Sequence, residues 1–194
     1  LVGGFVAIVT LVPQAQRDQR RADNPALTVE EYTPRSTLVV DQHLVPRAKY
    51  PVIDVHSHHR SPSQSRWAEI VTEMDALNLQ VLVNLSGGFG SGLQQKITTI
   101  TESPVPERMV FFANLDFGRG VYPGFGEDAA AQLEEDVTAG AVGLKFFKNF
   151  GIDVRDQNDQ RVPVDHPELD PVFEMCARLD IPVLIHVGEP SEFY

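Results

Sequence analysis

Tyr50-Pro51-Val52-Ile53-Asp54-Val55-His56-Ser57-His58-His59-Arg60 is the stretch on which the fold turns. An apolar run ends in three consecutive-spaced imidazoles at 56, 58 and 59. Side chains alternate along a strand, so Asp54, His56 and His58 share one face while Ile53, Val55 and Ser57 share the other. The run predicts a strand over Val52 to Val55 that leads into the histidines. Two imidazoles on one face of a strand end can both point at one cation.

From this strand the chain continues as alternating strands and helices. Trp67, Ile70, Met74 and Leu77 recur at helical spacing and predict a helix over Arg66 to Leu77. Gln80 to Leu85 reads as a second strand, followed by the glycine-rich loop Ser86-Gly87-Gly88-Phe89-Gly90-Ser91-Gly92 and a helical stretch from Leu93 to Thr101. Met109 to Leu115 is a third strand. Asp128 to Ala139, rich in alanine and glutamate, is a helix that Gly140 stops. Val142 to Phe147 is a fourth strand, Asn149 to His166 a polar loop, Pro167 to Leu179 a helix opened by proline, and Pro182 to His186 a fifth strand. Strands separated by helices form a parallel α/β sheet. An open doubly wound sheet and an eight-stranded barrel both fit that pattern. Four and a half strand-helix units by residue 194 favour a partial (β/α)8 barrel of five strands, an N-terminal fragment of the complete ring.

Buried parallel strands should be apolar on both faces, so their polar residues are informative. They are Asp54, His56 and His58; Asn84 and Ser86; Asn114 and Asp116; Lys145; and His186. Each lies toward the carboxyl end of its strand, where parallel α/β enzymes keep their active sites. On the fourth strand Val142, Leu144 and Phe146 are expected against the outer helices, with Gly143, Lys145 and Phe147 facing the centre. A lysine there is costly to bury unless an anion or a metal-bound group meets it. The His-x-His pair suits a zinc-type ion, and His186 at another strand end strengthens that reading. His59 is expected to face outward or into the loop. His43 and His166 sit in polar segments and are expected to be solvent-exposed.

Composition narrows the alternatives. The 194 residues carry 42% apolar and 22% charged side chains, a globular profile. With 16 basic against 27 acidic residues the net charge is -11, and no basic stripe interleaved with aromatics is present. Nucleic acid is therefore not an expected partner; a small-molecule substrate is, and a homo-oligomer is admitted. The single cysteine, Cys176, excludes an intrachain disulfide and a cysteine-rich zinc site and reads as a buried, inert thiol. Residues 1–15 hold the apolar run Leu1 to Val12, which is too short for a comfortable membrane span and fits a truncated signal peptide. Export to a periplasm or the exterior is expected if it is one, and a cytoplasmic place otherwise; a buried strand or a single anchor are the other readings. Residues 16–49 form a polar linker, with Ser36 to Val40 as a candidate short strand, and residues 50–194 form the barrel portion.

Pro51-Val52-Ile53-Asp54-Val55-His56-Ser57-His58, Gly143-Leu144-Lys145-Phe146-Phe147-Lys148-Asn149-Phe150-Gly151 and Ile181-Pro182-Val183-Leu184-Ile185-His186-Val187-Gly188-Glu189-Pro190 occur in that order. Together they resemble the amidohydrolase superfamily, and within it the amidohydrolase-2 group of metal-dependent hydrolases and aminocarboxymuconate-semialdehyde-type decarboxylases. The resemblance covers about residues 50 to 194. It implies a distorted barrel with a divalent metal, zinc foremost, at the carboxyl rim. His56, His58 and His186 would be its ligands. In several branches a fourth-strand lysine is carboxylated and bridges two metals. This group is generally mononuclear, so for Lys145 a substrate-carboxylate or structural contact is implied instead. The superfamily also uses a sixth-strand histidine and an eighth-strand aspartate, both expected past residue 194, so the fragment is expected to be inactive by itself.

The leading expectation is hydrolysis of a small-molecule amide, ester or lactone by metal-activated water, with Lys145 as the candidate catalytic residue. Asp54 would orient a ligand histidine, and Asn114, Asp116 and Glu189 would line the substrate pocket. Non-oxidative decarboxylation on the same metal is the second expectation, and a catalytically dead exported binding domain the third. A serine hydrolase is poorly matched, because no Gly-x-Ser-x-Gly elbow occurs. The glycine-rich loop lacks the lysine of a P-loop.

Overall fold

The computed structural model describes residues 43–60 and 63–187, together with 33, 35, 37, 38, 40 and 41. Residues 45–194 form one compact unit and residues 1–44 another. In the second unit, β1 (Val52–Ser57), β2 (Leu79–Asn84), β3 (Met109–Ala113), β4 (Ala141–Phe146) and β5 (Val183–Ile185) pair in sequence order. Every pairing is parallel. The connections carry α1 (Gln64–Leu77), α2 (Gly90–Thr101), α3 (Phe125–Thr138), the single turn α4 (Asn149–Ile152) and α5 (Asp170–Arg178). The result is a curled half barrel, the partial (β/α)8 architecture that the strand-helix alternation predicts.

Local chemistry sets the element ends. Ser63 caps α1 by accepting from the Arg66 N–H, and Asn78, in the left-handed region at φ 63°, closes it. Gly140 follows α3 at φ 120°, a backbone that costs a side-chain-bearing residue energy. Helix α2 starts three residues earlier than the apolar spacing suggests, inside the glycine-rich loop. That loop lies tight against β3, since a Cβ at Gly87 would stand 2.1 Å from the Phe112 carbonyl oxygen. The polar segment 149–166 holds α4, and the helix expected from Pro167 begins as a 3-10 turn (Pro167–Leu169) before α5.

The core lies between sheet and helices, and Trp67, Met74, Leu93, Leu133, Leu144 and Leu169 are among its members. Trp67 is 1% exposed, and its indole N–H donates to Ser103 Oγ at 3.1 Å. Removing roughly 200 Å² of indole from water contributes about 5 kcal/mol gross at about 25 cal/mol per Å², before conformational entropy is subtracted. Leu144 and Phe146 are buried as expected, and the Phe146 ring stacks on Phe173 and meets Phe150 edge-on and Phe117 at a tilt. Val142 departs from that expectation: two residues past Gly140, it is 40% exposed. The apolar flank of β1, at one edge of the sheet, is also open, with Ile53 58% and Val55 61% exposed.

Among the described residues no helix is long and apolar enough to cross a membrane. Leu1 to Val12 lie outside them, as do Ser36 and Val39 of the candidate short strand. Thr37, Leu38 and Val40 of that stretch are exposed and carry no strand.

Candidate metal centre

Strand β1 runs two residues further than predicted, through His56 to Ser57, and His58 follows at its carboxyl end. The rings of His56 and His58 face each other edge-on, with centroids 5.1 Å apart and planes at 65°. An imidazole nitrogen lies about 2.0–2.1 Å from zinc and its ring centre about 1.1 Å further, so two rings on one tetrahedral ion have centres about 5 Å apart. The pair therefore matches the spacing that a shared ion requires.

Neighbouring strands hold the pair. Register places Ser57 beside Asn84, so Ser86 falls next to His58. Ser86 Oγ and His58 Nδ1 are hydrogen-bonded at 2.8 Å, which fixes the ring and leaves Nε2 as its other donor atom. Asp54 Oδ1 accepts from the His56 backbone N–H at 2.9 Å, so the carboxylate sets the backbone of that histidine. Asn84 clasps the backbone of His59: its Oδ1 accepts from the His59 N–H at 3.2 Å and its Nδ2 donates to the His59 carbonyl at 2.7 Å. Phe147, the residue that follows β4, has its ring centre 5.8 Å from that of His58.

Burial lowers the pKa of His58, and the charges of His56, Lys145 and His59 lower it further against the opposing pull of Asp54. Both effects favour the neutral ring, the state in which an imidazole ligates a cation. His59 is lowered as well, chiefly by burial.

Lys145 is 1% exposed, and its Nζ has no hydrogen-bond partner among the described residues. Burial pushes its pKa down. The face it shares is filled below it, since a Cβ at Gly143 would meet the Phe112 ring at 2.5 Å.

His186 leaves β5 with its backbone N–H donating to the Phe146 carbonyl at 3.0 Å, and its side chain is half-buried. Among the described residues no three His, Cys, Asp or Glu side chains are gathered as a metal-holding group. The ring contact pairs His56 with His58, and among the described residues the pair is not extended to a group of three.

Asn114 is buried and fully engaged. The two N–H groups of its Nδ2 are shared among the carbonyls of Leu85, Ala113 and Lys145, each at 3.1 Å, and its Oδ1 accepts from the Gly88 N–H at 2.7 Å. It bolts the ends of three strands together. Lys96 fastens the same loop from above, donating to the carbonyls of Ser86 and Gly87 at 2.9 and 2.7 Å. Asp116 is exposed, accepts from the Gly118 N–H at 2.9 Å, and lines a cavity of about 190 Å³ with Phe89, Arg119, Tyr122 and Asp136. His56, His58 and Lys145 do not line that cavity. Glu189 lies outside the described residues. Of the other histidines, His43 is exposed, and His166 is half-buried and caps the 3-10 turn by accepting from the Glu168 N–H.

Two contributors are missing from the sequence-derived set: Ser86 as the anchor of His58, and Phe147 as its ring neighbour. The adjacency of β1 and β2 carries the signal for Ser86, since a hydroxyl ending the next strand falls beside a histidine ending the first.

Residues 103–193 match a family model described as Amidohydrolase. No solved structure matches the chain. On a half barrel of five parallel strands, that match over 91 of the 194 residues supports membership of the amidohydrolase superfamily. Membership carries a hydrolase- or decarboxylase-type function.

Proposed function

We propose that the chain contributes the metal-binding rim of a divalent-metal-dependent hydrolase acting on an amide, ester or lactone bond of a small molecule. The observation that carries this reading is the His56–His58 pair, with ring centres 5.1 Å apart, at the carboxyl end of β1. A divalent cation of the zinc type, when bound, brings the pKa of water to about 7 and withdraws charge from a carbonyl oxygen. His56 and His58 would hold it through ring nitrogens, and His186 is proposed as a third donor. Ser86 fixes the His58 ring and leaves its Nε2 free to serve as the ligand atom, and Asp54 holds the His56 backbone. Asp116 and Glu189 are proposed to face the substrate. Asn114, with its amide committed to backbone groups, shapes the pocket wall rather than reading the substrate through its side chain.

Non-oxidative decarboxylation is the second reading, and the buried ammonium of Lys145, which has no hydrogen-bond partner among the described residues, favours it, because such a substrate carries a carboxylate. Metal analysis after expression in metal-replete medium tests the first premise. About one divalent ion per chain, lost in His56→Ala, is expected. No bound ion in either protein would contradict it. Product analysis of the whole enzyme then separates the two reactions: a cleaved acyl bond supports hydrolysis, whereas released CO2 with no such cleavage supports decarboxylation.

A further inference from the structure

We infer that the cavity of about 190 Å³ beside the β3–α3 connection binds a small organic cation, an amine or amidine carried on a ring-sized apolar body. None of the metal ligands proposed above, nor their anchors Ser86 and Asp54, lines it. Asn114 and Asp116 are the residues it shares with the substrate side proposed there. The inference therefore holds with or without a metal at the histidines.

One wall of the cavity is a face of α3, where Phe125, Asp128, Ala129, Gln132, Leu133 and Asp136 recur at spacings of three and four. Phe89 and the segment from Asn114 to Tyr122 supply the rest. The inner residues are buried: Phe125 is 3% exposed, and Leu133 and Asp136 are each 1% exposed. A cavity of about 150 Å³ takes one benzene ring, so this one has room for a ring with a short substituent. Its charge is one-sided. Asp116, Asp128 and Asp136 face a single cation, Arg119, whose guanidinium lies over the Tyr122 ring at 4.6 Å. Among the described residues none of the three carboxylates has an ion-pair partner. Each spends one oxygen on the protein. Asp116 Oδ1 accepts from the Gly118 N–H, and Asp128 Oδ2 accepts from the Tyr122 hydroxyl. Asp136 Oδ1 accepts from the Gly90 N–H at 2.8 Å and from Gln132 Nε2 at 3.3 Å. The second oxygen of each accepts no hydrogen bond among the described residues. For Asp136 the deficit is sharpest, because a buried carboxylate without a counter-charge is strongly disfavoured. Burial raises its pKa against the pull of its two hydrogen bonds, and no nearby cation counters it. A cationic N–H donor on an apolar body supplies what the cavity lacks: charge for the carboxylates and a surface for the rings.

Benzylamine, its neutral match benzyl alcohol and the anion benzoate serve as probes, titrated calorimetrically at neutral pH into protein freed of divalent ions. Benzylamine is expected to bind at least about tenfold tighter than benzyl alcohol, as a charge-assisted hydrogen bond would require, and benzoate is expected not to bind. Asp136→Asn, which keeps the shape and an acceptor for the Gly90 N–H, should remove most of that preference. Ala129→Leu, which fills the cavity, should abolish binding of both benzylamine and benzyl alcohol. In isotope-labelled wild type the Gly90 amide resonance should shift with benzylamine, a readout that needs no variant to fold. Equal binding of amine and alcohol, or no benzylamine binding at about 1 mM, overturns the inference. So does a preference for benzoate, which would make Arg119 the reading group. A preference for the amine that Asp136→Asn leaves unchanged, or benzylamine binding with the Gly90 resonance unmoved, places the amine elsewhere and also overturns it.

Discussion

Replacing Lys145 by methionine should make the protein more stable, an unusual direction for a core substitution. Lys145 is 1% exposed and its ammonium has no partner among the described residues. Methionine fills nearly the same volume and carries no charge. Exchanging buried ionic groups for apolar ones of similar volume stabilises by about 1–4 kcal/mol, and about 2 kcal/mol is expected here. For a chain of this size that corresponds to a rise of about 4–8 °C in Tm. The effect has a pH signature. Burial holds the folded-state pKa of Lys145 below its ordinary value of 10.5, so the unfolded chain binds more protons between the two values. Wild-type stability should therefore rise with pH across that window, as the buried lysine sheds its proton. The penalty is in full force below the folded pKa and fades as pH climbs toward that of the unfolded chain. The methionine variant lacks this rise, so its advantage should be largest near neutral pH and shrink toward about pH 10. Urea denaturation followed by the fluorescence of Trp67, the sole tryptophan and 1% exposed, measures both effects. A variant no more stable than wild type at neutral pH, or an advantage that does not change with pH, would refute the reasoning.

The remaining predictions use the same assay or a chemical one. Asn114→Leu keeps the volume but strands the Gly88 N–H and removes the Nδ2 bonds to three carbonyls, and should cost about 2–4 kcal/mol in urea unfolding. A loss below about 0.5 kcal/mol would show that water replaces these bonds freely. Burial pushes the Cys176 thiol up to about 11. At about pH 8 an aromatic disulfide reagent should react about a hundredfold more slowly with folded than with denatured protein, and equal rates would place the thiol at the surface.

The sequence makes the sheet legible because its signals are local. Alternation in Val52 to Val55, the alanine-rich helix before Gly140 and the Pro-led helix before β5 each need only neighbouring residues. The central position of Lys145 is legible for the same reason, since strand parity fixes its side. What escaped depends on contacts between strands. Asn114 reads as a polar strand end, yet its amide is spent on Gly88, Leu85 and Lys145, partners supplied by folding. His59 has its backbone clasped by Asn84, a contact that only the β1–β2 register creates. Helix α2 starts within a glycine run because the loop must pass close under the Phe112 carbonyl, a demand no periodicity encodes. The exposed flank of β1 escapes the rule of apolar burial because that rule needs an element packed over the face, and alternation in the strand does not encode whether one is present.

The central claim is that His56 and His58 share one cation, and a double-mutant cycle on zinc affinity tests it most directly. Zinc is titrated calorimetrically into wild type, His56→Ala, His58→Ala and the double variant at neutral pH. If both rings hold one ion, each single change should weaken binding by at least about tenfold, and the double change should cost far less than the sum of the two. Losses that simply add, or a wild type that takes up no zinc, would contradict it.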